Sequence, residues 1–289
     1  MSFADILHVL WHGVKESLLL LPLLFLTYLF MELLEHKAGD GVKKAVSRAG
    51  RMGPLLGGLL GLLPQCGFSA VAAGLYAARI VTPGTVLAVF LATSDEMIPV
   101  LLGAGIPAGQ VLTVLGVKLV VALLCGFAAD LVLCRRGTDR SVSHFCEEEH
   151  CHCHEGVLRS ALHHTLHVFF FVLTINVLLG GALELVGEQG LAALMQGAPL
   201  LSVLIAALVG LVPNCAASVA LATLYAKGIL SAGAMLAGLL AGAGAGLLVL
   251  FRTNRPLRQN LFFVLALLAV GVSVGALFTL GGLSAALGL

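Results

Sequence analysis

Apolar runs bounded by short polar stretches predict two series of helices along the chain. The first occupies residues 15–35, 52–63, 67–78, 84–103 and 110–134, and the second 162–187, 199–212, 216–226, 231–251 and 260–283. The second and third members of each series hold about a dozen residues, or ~18 Å of helix at 1.5 Å per residue, against a hydrocarbon core of ~30 Å. They read as half-spans, or as a hairpin that stops partway. The run 18–34 ends in acid and lacks a small-residue cleavage site, so it reads as a retained first span rather than a signal peptide.

The two series are one unit used twice. LLPQCGFSAVAAGLYAARI overlays LVPNCAASVALATLYAKGI at an offset of 149: Pro64 falls on Pro213, Gln65 on Asn214, Cys66 on Cys215, Ser69 on Ser218, Tyr76 on Tyr225 and Gly84 on Gly233. Glu35 falls on Glu184 at the same offset. Chance aligns apolar runs, but not a proline, an amide, a thiol and a tyrosine in register. The organisation expected is a first transmembrane repeat at 1–134, a Cys/His-rich loop at 135–160 and a second repeat at 161–289.

Charge sets the orientation. Twelve of the sixteen Lys and Arg lie in three loops, 37–51, 135–159 and 252–258, and basic loops stay on the cytoplasmic side. All three share that side only if each repeat crosses an odd number of times, which inverts the second repeat relative to the first. Reading each hinged pair as one continuous broken span gives four crossings instead and exports the loop 135–159. The fold class expected is therefore an all-α polytopic membrane protein of two inverted repeats, about five helices each. Its Pro-broken half-helices or re-entrant hairpins meet near the midplane, as in gradient-driven carriers.

Composition excludes other classes. The 289 residues are 59% hydrophobic and 11% charged, with a mean hydropathy of +1.05, whereas soluble domains carry about 25% charged residues. A net charge of +1 leaves no basic excess for nucleic acid. No phosphate-binding Gly-x-x-x-x-Gly-Lys loop is present. The partners expected are the lipid bilayer and a metal or metalloid ion, with a homo-oligomer open; no cofactor is implied, the metal being substrate. The seven cysteines are too scattered for a disulfide framework and suit thiols kept reduced on a cytosolic face.

The candidate chemistry centres on the duplicated break. Pro64 and Pro213 each free backbone carbonyls inside the membrane, which is tolerated only where the backbone lines a cavity or finds protein partners. An amide, a thiol and a hydroxyl follow each break: Gln65, Cys66 and Ser69, then Asn214, Cys215 and Ser218. Two helix N-termini would point at one place, and facing thiolates of Cys66 and Cys215 would hold a soft ion; alternatively, both are small packing residues.

Asp95 and Glu96 interrupt the fourth span, and the second repeat carries Gly244 and Ala245 there, so the helix is expected to persist without the charges. Acids at that depth serve ions or protons, unless they reach an interface. Glu32, Glu35 and His36 share one helix face, as do His163 and His167, and either group is a metal or proton site or a polar span end. Lys118 and Asp130 inside the fifth span need a partner or a water-filled path. The loop 144–154 gathers Cys146, His150, Cys151, His152, Cys153 and His154 with three glutamates. That composition fits labile binding of zinc or copper(I), without the spacing of a zinc finger.

These motifs resemble a known family. PQCGFSAVAAGLY, LVPNCAASVALATLY, AGLLAGAGAGLLVLFR, MELLEHKAG and the Cys/His loop are similar to those of the ten-transmembrane heavy-metal exporters, whose members are labelled manganese transporters or arsenic efflux proteins and are related to organoarsenical permeases. The resemblance covers nearly the whole chain and implies export of a metal or metalloid across the inner or plasma membrane, with no enzymatic step. Manganese would suit Glu32, Glu35, Asp95 and Glu96, whereas arsenic(III) would suit Cys66 and Cys215. The competing classes are an intramembrane thiol oxidoreductase using that cysteine pair, and an ion channel.

Overall fold

The computed structural model describes residues 52–63, 67–94, 97–133 and 199–281, with isolated helical positions within 11–29 and 158–178. Among the described residues all regular structure is helical. The first half contributes α1 (Gly53–Gly61), α2 (Gly67–Ala77), α3 (Pro83–Ala92), α4 (Met97–Gly103) and α5 (Ala108–Leu133). The second contributes α6 (Pro199–Gly210), α7 (Cys215–Ala226), α8 (Ala232–Ala241), α9 (Ala245–Thr253) and α10 (Leu257–Leu280). The offset of 149 maps α3 onto α8 residue for residue, and the other pairs to within three residues at each end.

Local chemistry is duplicated with the helices. Thr82 caps α3 by accepting from the Thr85 N–H at 3.1 Å, and Ser231 caps α8 by accepting from the Ala234 N–H at 3.2 Å. Both caps use a hydroxyl to satisfy a donor that has no partner within the helix. Packing follows suit: α1 lies on α3 and α3 on α5, as α6 lies on α8 and α8 on α10. Close backbone approach makes these contacts possible. A Cβ on Gly84 would collide with the carbonyl of Gly126, and one on Gly233 would sit 2.6 Å from the carbonyl of Gly275; small residues at such crossings are how membrane helices pack.

The hinged pairs return to the end from which they start. Gly53 lies against Thr82 and Thr85, Gly57 against Thr85 and Val89, and Gly61 against Val89 and Ala92, so α1 runs alongside α3 in the same direction. The chain must then come back through α2 to reach Pro83. In the second half Gly238 lies against Ala206 and Gly242 against Gly210, so α6 runs with α8 and α7 returns to Ser231. Both pairs are hairpins, not continuous spans. Each hairpin's returning arm crosses to the other half of the molecule, α2 packing on α9 and α7 on α4.

Four stretches are long and apolar enough to cross a bilayer: Pro83–Gly103, Ala108–Leu133, Ala232–Thr253 and Leu257–Leu280. The chain is thus a multi-pass membrane protein. α3 and α8 form the centre, with every residue of α8 buried. Leu112, Leu124 and Leu131 on α5, with Leu261, Leu265 and Leu277 on α10, are exposed, as expected of helices that face lipid.

One expectation is corrected. The fourth span is broken in both repeats, not only where the acids lie. α3 stops at Ala92, where Thr93 turns to φ −49°, ψ 122°. α8 stops at Ala241, where Gly242 turns to φ −76°, ψ 113° and Gly244 takes φ 51°, ψ −145°. The latter conformation is open to glycine and strained for other residues, so the glycines of the second repeat do the work that a polar segment does in the first.

Candidate transport site

Three broken elements end near one place. The first halves of both interrupted spans finish there, bringing Thr93 and Ser94 opposite Gly242 and Gly244, and the tip of the second hairpin adds Asn214 and Ser218. Together they line a crevice floored by Gly210 and Gly238, where α6 and α8 touch.

Oxygen dominates the polar side chains lining this crevice. Thr93 Oγ1 donates to the Val89 carbonyl at 2.7 Å, Ser94 Oγ to the Ala92 carbonyl at 2.9 Å, and Ser218 Oγ to the Cys215 carbonyl at 2.8 Å. A hydroxyl has one proton and two lone pairs. With each proton committed to a backbone carbonyl, what these oxygens can still offer is lone pairs. Asn214 starts α7, its Oδ1 accepting from the Ala216 N–H at 2.8 Å.

Lys118 lies behind this wall. Its side chain on α5 is fully buried, and Nζ donates to the Thr93 carbonyl and, at 2.9 Å, to the Leu239 carbonyl. Both acceptors lie at helix C-termini, whose last carbonyls lack helical partners and carry partial negative charge. A buried ammonium is costly without such partners; two interrupted helices supply them.

Asp130, the other charged group inside α5, has a structural task. Its Oδ1 accepts from the Gly84 N–H at 2.8 Å and its Oδ2 from Thr82 Oγ1 at 2.7 Å. The carboxylate thus pins the N-terminus of α3 to α5, where negative charge is favoured. Thr279 holds the equivalent position against Gly233 in the second repeat.

A profile of the family described as "Putative, 10TM heavy-metal exporter" matches residues 22–189. The chain belongs to that family. Searches of curated proteins and of solved structures gave no match.

Only part of the site expected from sequence falls within the described residues. Asn214 and Ser218 line the crevice. Cys215, between them in sequence, is buried as the first residue of α7 and does not line it. Ser69, the repeat mate of Ser218, is also buried and packs against α9, where a Cβ on Gly246 would sit 2.7 Å from its own Cβ. Glu32, Glu35, Gln65, Cys66, Asp95, Glu96, Cys146, His150, Cys151, His152, Cys153, His154, His163 and His167 lie outside the described residues. Among the described residues no cluster of three or more His, Cys, Asp or Glu is present. Thr93, Ser94 and the carbonyl targets of Lys118 were not singled out from sequence; the polar Thr-Ser pair before Asp95 was their one signal.

Proposed function

We propose that this heavy-metal exporter family member is a secondary, gradient-driven carrier of a metal cation, which crosses through the crevice between Thr93, Ser94, Asn214 and Ser218. The observation that carries this reading is the convergence of two interrupted spans and a hairpin tip on one oxygen-lined place. Unwound backbone at membrane depth survives only where it lines a cavity or is bonded by protein, and carriers use such breaks to ligate ions. Oxygen ligands suit harder cations, manganese above arsenic(III) or copper(I). Asp95 and Glu96, directly after Ser94, would add carboxylates to the same ligand set.

The reading includes inverted repeats. Its support is the exchange of partners, α2 on α9 and α7 on α4, in which each hairpin arm packs on the second half of the other repeat's interrupted span. Hairpins leave three crossings per repeat, an odd number. The basic loops then face the cytoplasm, with the Cys/His loop 135–160 collecting cations at the entrance through Cys146, His150, Cys151, His152, Cys153 and His154. Glu32, Glu35, His163 and His167 would flank the path from the first and sixth spans.

Growth of a strain expressing the protein across a panel of manganese, zinc, copper, cadmium and arsenite, with cellular content measured, tests this. Resistance and lowered content are expected for an oxygen-preferring cation. Lowered content for arsenite alone would move the site to Cys66 and Cys215.

A further inference from the structure

We propose that Lys118 is the built-in counter-cation of the transport site: its ammonium and the substrate cation occupy the Thr93 and Leu239 carbonyls alternately. This rests on the export reading above and adds what the empty carrier holds in place of its substrate.

The geometry carries it in three steps. Thr93 and Leu239 both contribute to the crevice wall, and both carbonyls lie where a helix stops short: Thr93 follows α3, and Leu239 is in the last turn of α8. Two such ends brought together concentrate partial negative charge in a medium of low dielectric. A cation at that point is favoured, and the protein supplies one from a third helix, since Nζ of fully buried Lys118 bonds to both carbonyls. The carbonyls come from residues 25 and 121 positions away in sequence, one from each repeat. The ammonium is therefore bound across the boundary that must open and close in alternating access.

A metal ion approaching Thr93, Ser94 and Ser218 meets oxygens that offer lone pairs, but the Thr93 and Leu239 carbonyls are already taken by Lys118. Entry of the ion requires Lys118 to leave them, and release of the ion lets it return. A tethered ammonium thus spares the empty carrier an uncompensated pair of buried carbonyls on each return, and burying polar groups without a partner is unfavourable. The repeat mate of Lys118 is Leu267, so the two halves share a single counter-cation.

The test uses the full chain in lipid nanodiscs and whichever of Mn2+, Zn2+ and Cd2+ the wild type exports. If Lys118 occupies the carbonyls in about nine-tenths of empty molecules, its removal raises apparent affinity about tenfold. Lys118→Met is expected to bind the ion about tenfold more tightly by calorimetry and to keep ion-for-ion exchange in vesicles while losing net efflux. Lys118→Arg, which keeps a permanent charge on a bulkier head, is expected to bind about tenfold more weakly. Unchanged or weaker binding by folded Lys118→Met overturns the proposal. Should Lys118→Met fail to fold, wild-type affinity in Lys118→Arg overturns it alone. A wild type that neither binds nor exports any of the three ions contradicts the export reading instead.

Discussion

Tyr76 on α2 donates its hydroxyl hydrogen to Gln259 Oε1 on α10 at 3.1 Å. Arg79 Nη1 donates to the same oxygen at 3.1 Å and stacks over the Tyr76 ring at 5.7 Å. The bond joins the end of one repeat's hairpin to the other repeat's last helix. At the offset of 149 Tyr76 maps to Tyr225, and Gln110 maps to Gln259, so the repeat mates of this pair are Tyr225 and Gln110. Among the described residues neither side chain of that second pair makes a hydrogen bond, although Tyr225 packs against the hydrophobic core cluster that includes Val111 and Val114 of α5. One end of the molecule is latched and the equivalent end is not.

If the latches exchange during transport, Tyr225→Cys with Gln110→Cys should crosslink more readily when the exported ion is present than when it is absent. Tyr76→Phe removes one neutral hydrogen bond of ~1 kcal/mol and should raise crosslinking without ion about fivefold. Crosslinking that ignores both ion and Tyr76 would show the latch to be static.

Asp130 should act on stability rather than on ion choice. Asp130→Ala strips the Gly84 N–H and Thr82 hydroxyl of their acceptor and should cost ~1–3 kcal/mol, read as a lower melting temperature in detergent. Asp130→Asn keeps an acceptor and should lose less. A stable Asp130→Asn that no longer transports would mean that the carboxylate carries an ion or proton.

Close packing at the crevice floor predicts a contrast between glycines. Gly238→Ala would place a Cβ 2.7 Å from the Ala206 carbonyl and into Leu221, and overpacking of this kind costs ~1–3 kcal/mol. Gly116→Ala, on the open side of α5 with nothing within 4 Å, should be neutral or mildly stabilising. Thermal unfolding of the two variants decides; equal effects would mean that α6 and α8 do not touch as described.

Within the described residues the repeat and the limits of most helices could be read in the sequence, because a fixed offset marks them, whereas the two prolines left half-spans and hairpins both open. The second break could not. Gly242–Gly244 sits in an apolar run where glycine reads as ordinary membrane-helix packing, and only its φ and ψ show that the helix stops. Asn214 and Ser218, which line the crevice, were singled out because the proline announces them. The emphasis on Cys215 came from soft-metal chemistry, whereas the crevice wall passes through its neighbours on either side. Lys118 was visible as a charge in need of a partner, but its partners are carbonyls on distant helices that no side-chain pattern reveals.

Orientation gives a separate prediction. With the basic loops inside, Cys151 and Cys153 should resist an impermeant maleimide in intact cells and react once the membrane is broken. Labelling from outside would reverse the topology, and with it the direction of transport.

The central claim is ion passage through the oxygen-lined crevice, and ion uptake into inside-out vesicles tests it most directly. The wild type should accumulate Mn2+ or another oxygen-preferring cation when a gradient is imposed. Ser94→Ala with Ser218→Ala should raise the apparent KM about tenfold, from ~1.4 kcal/mol of lost ligation, with expression and melting temperature retained. No uptake of any metal cation by the wild type, or uptake untouched by the double substitution, would contradict the account.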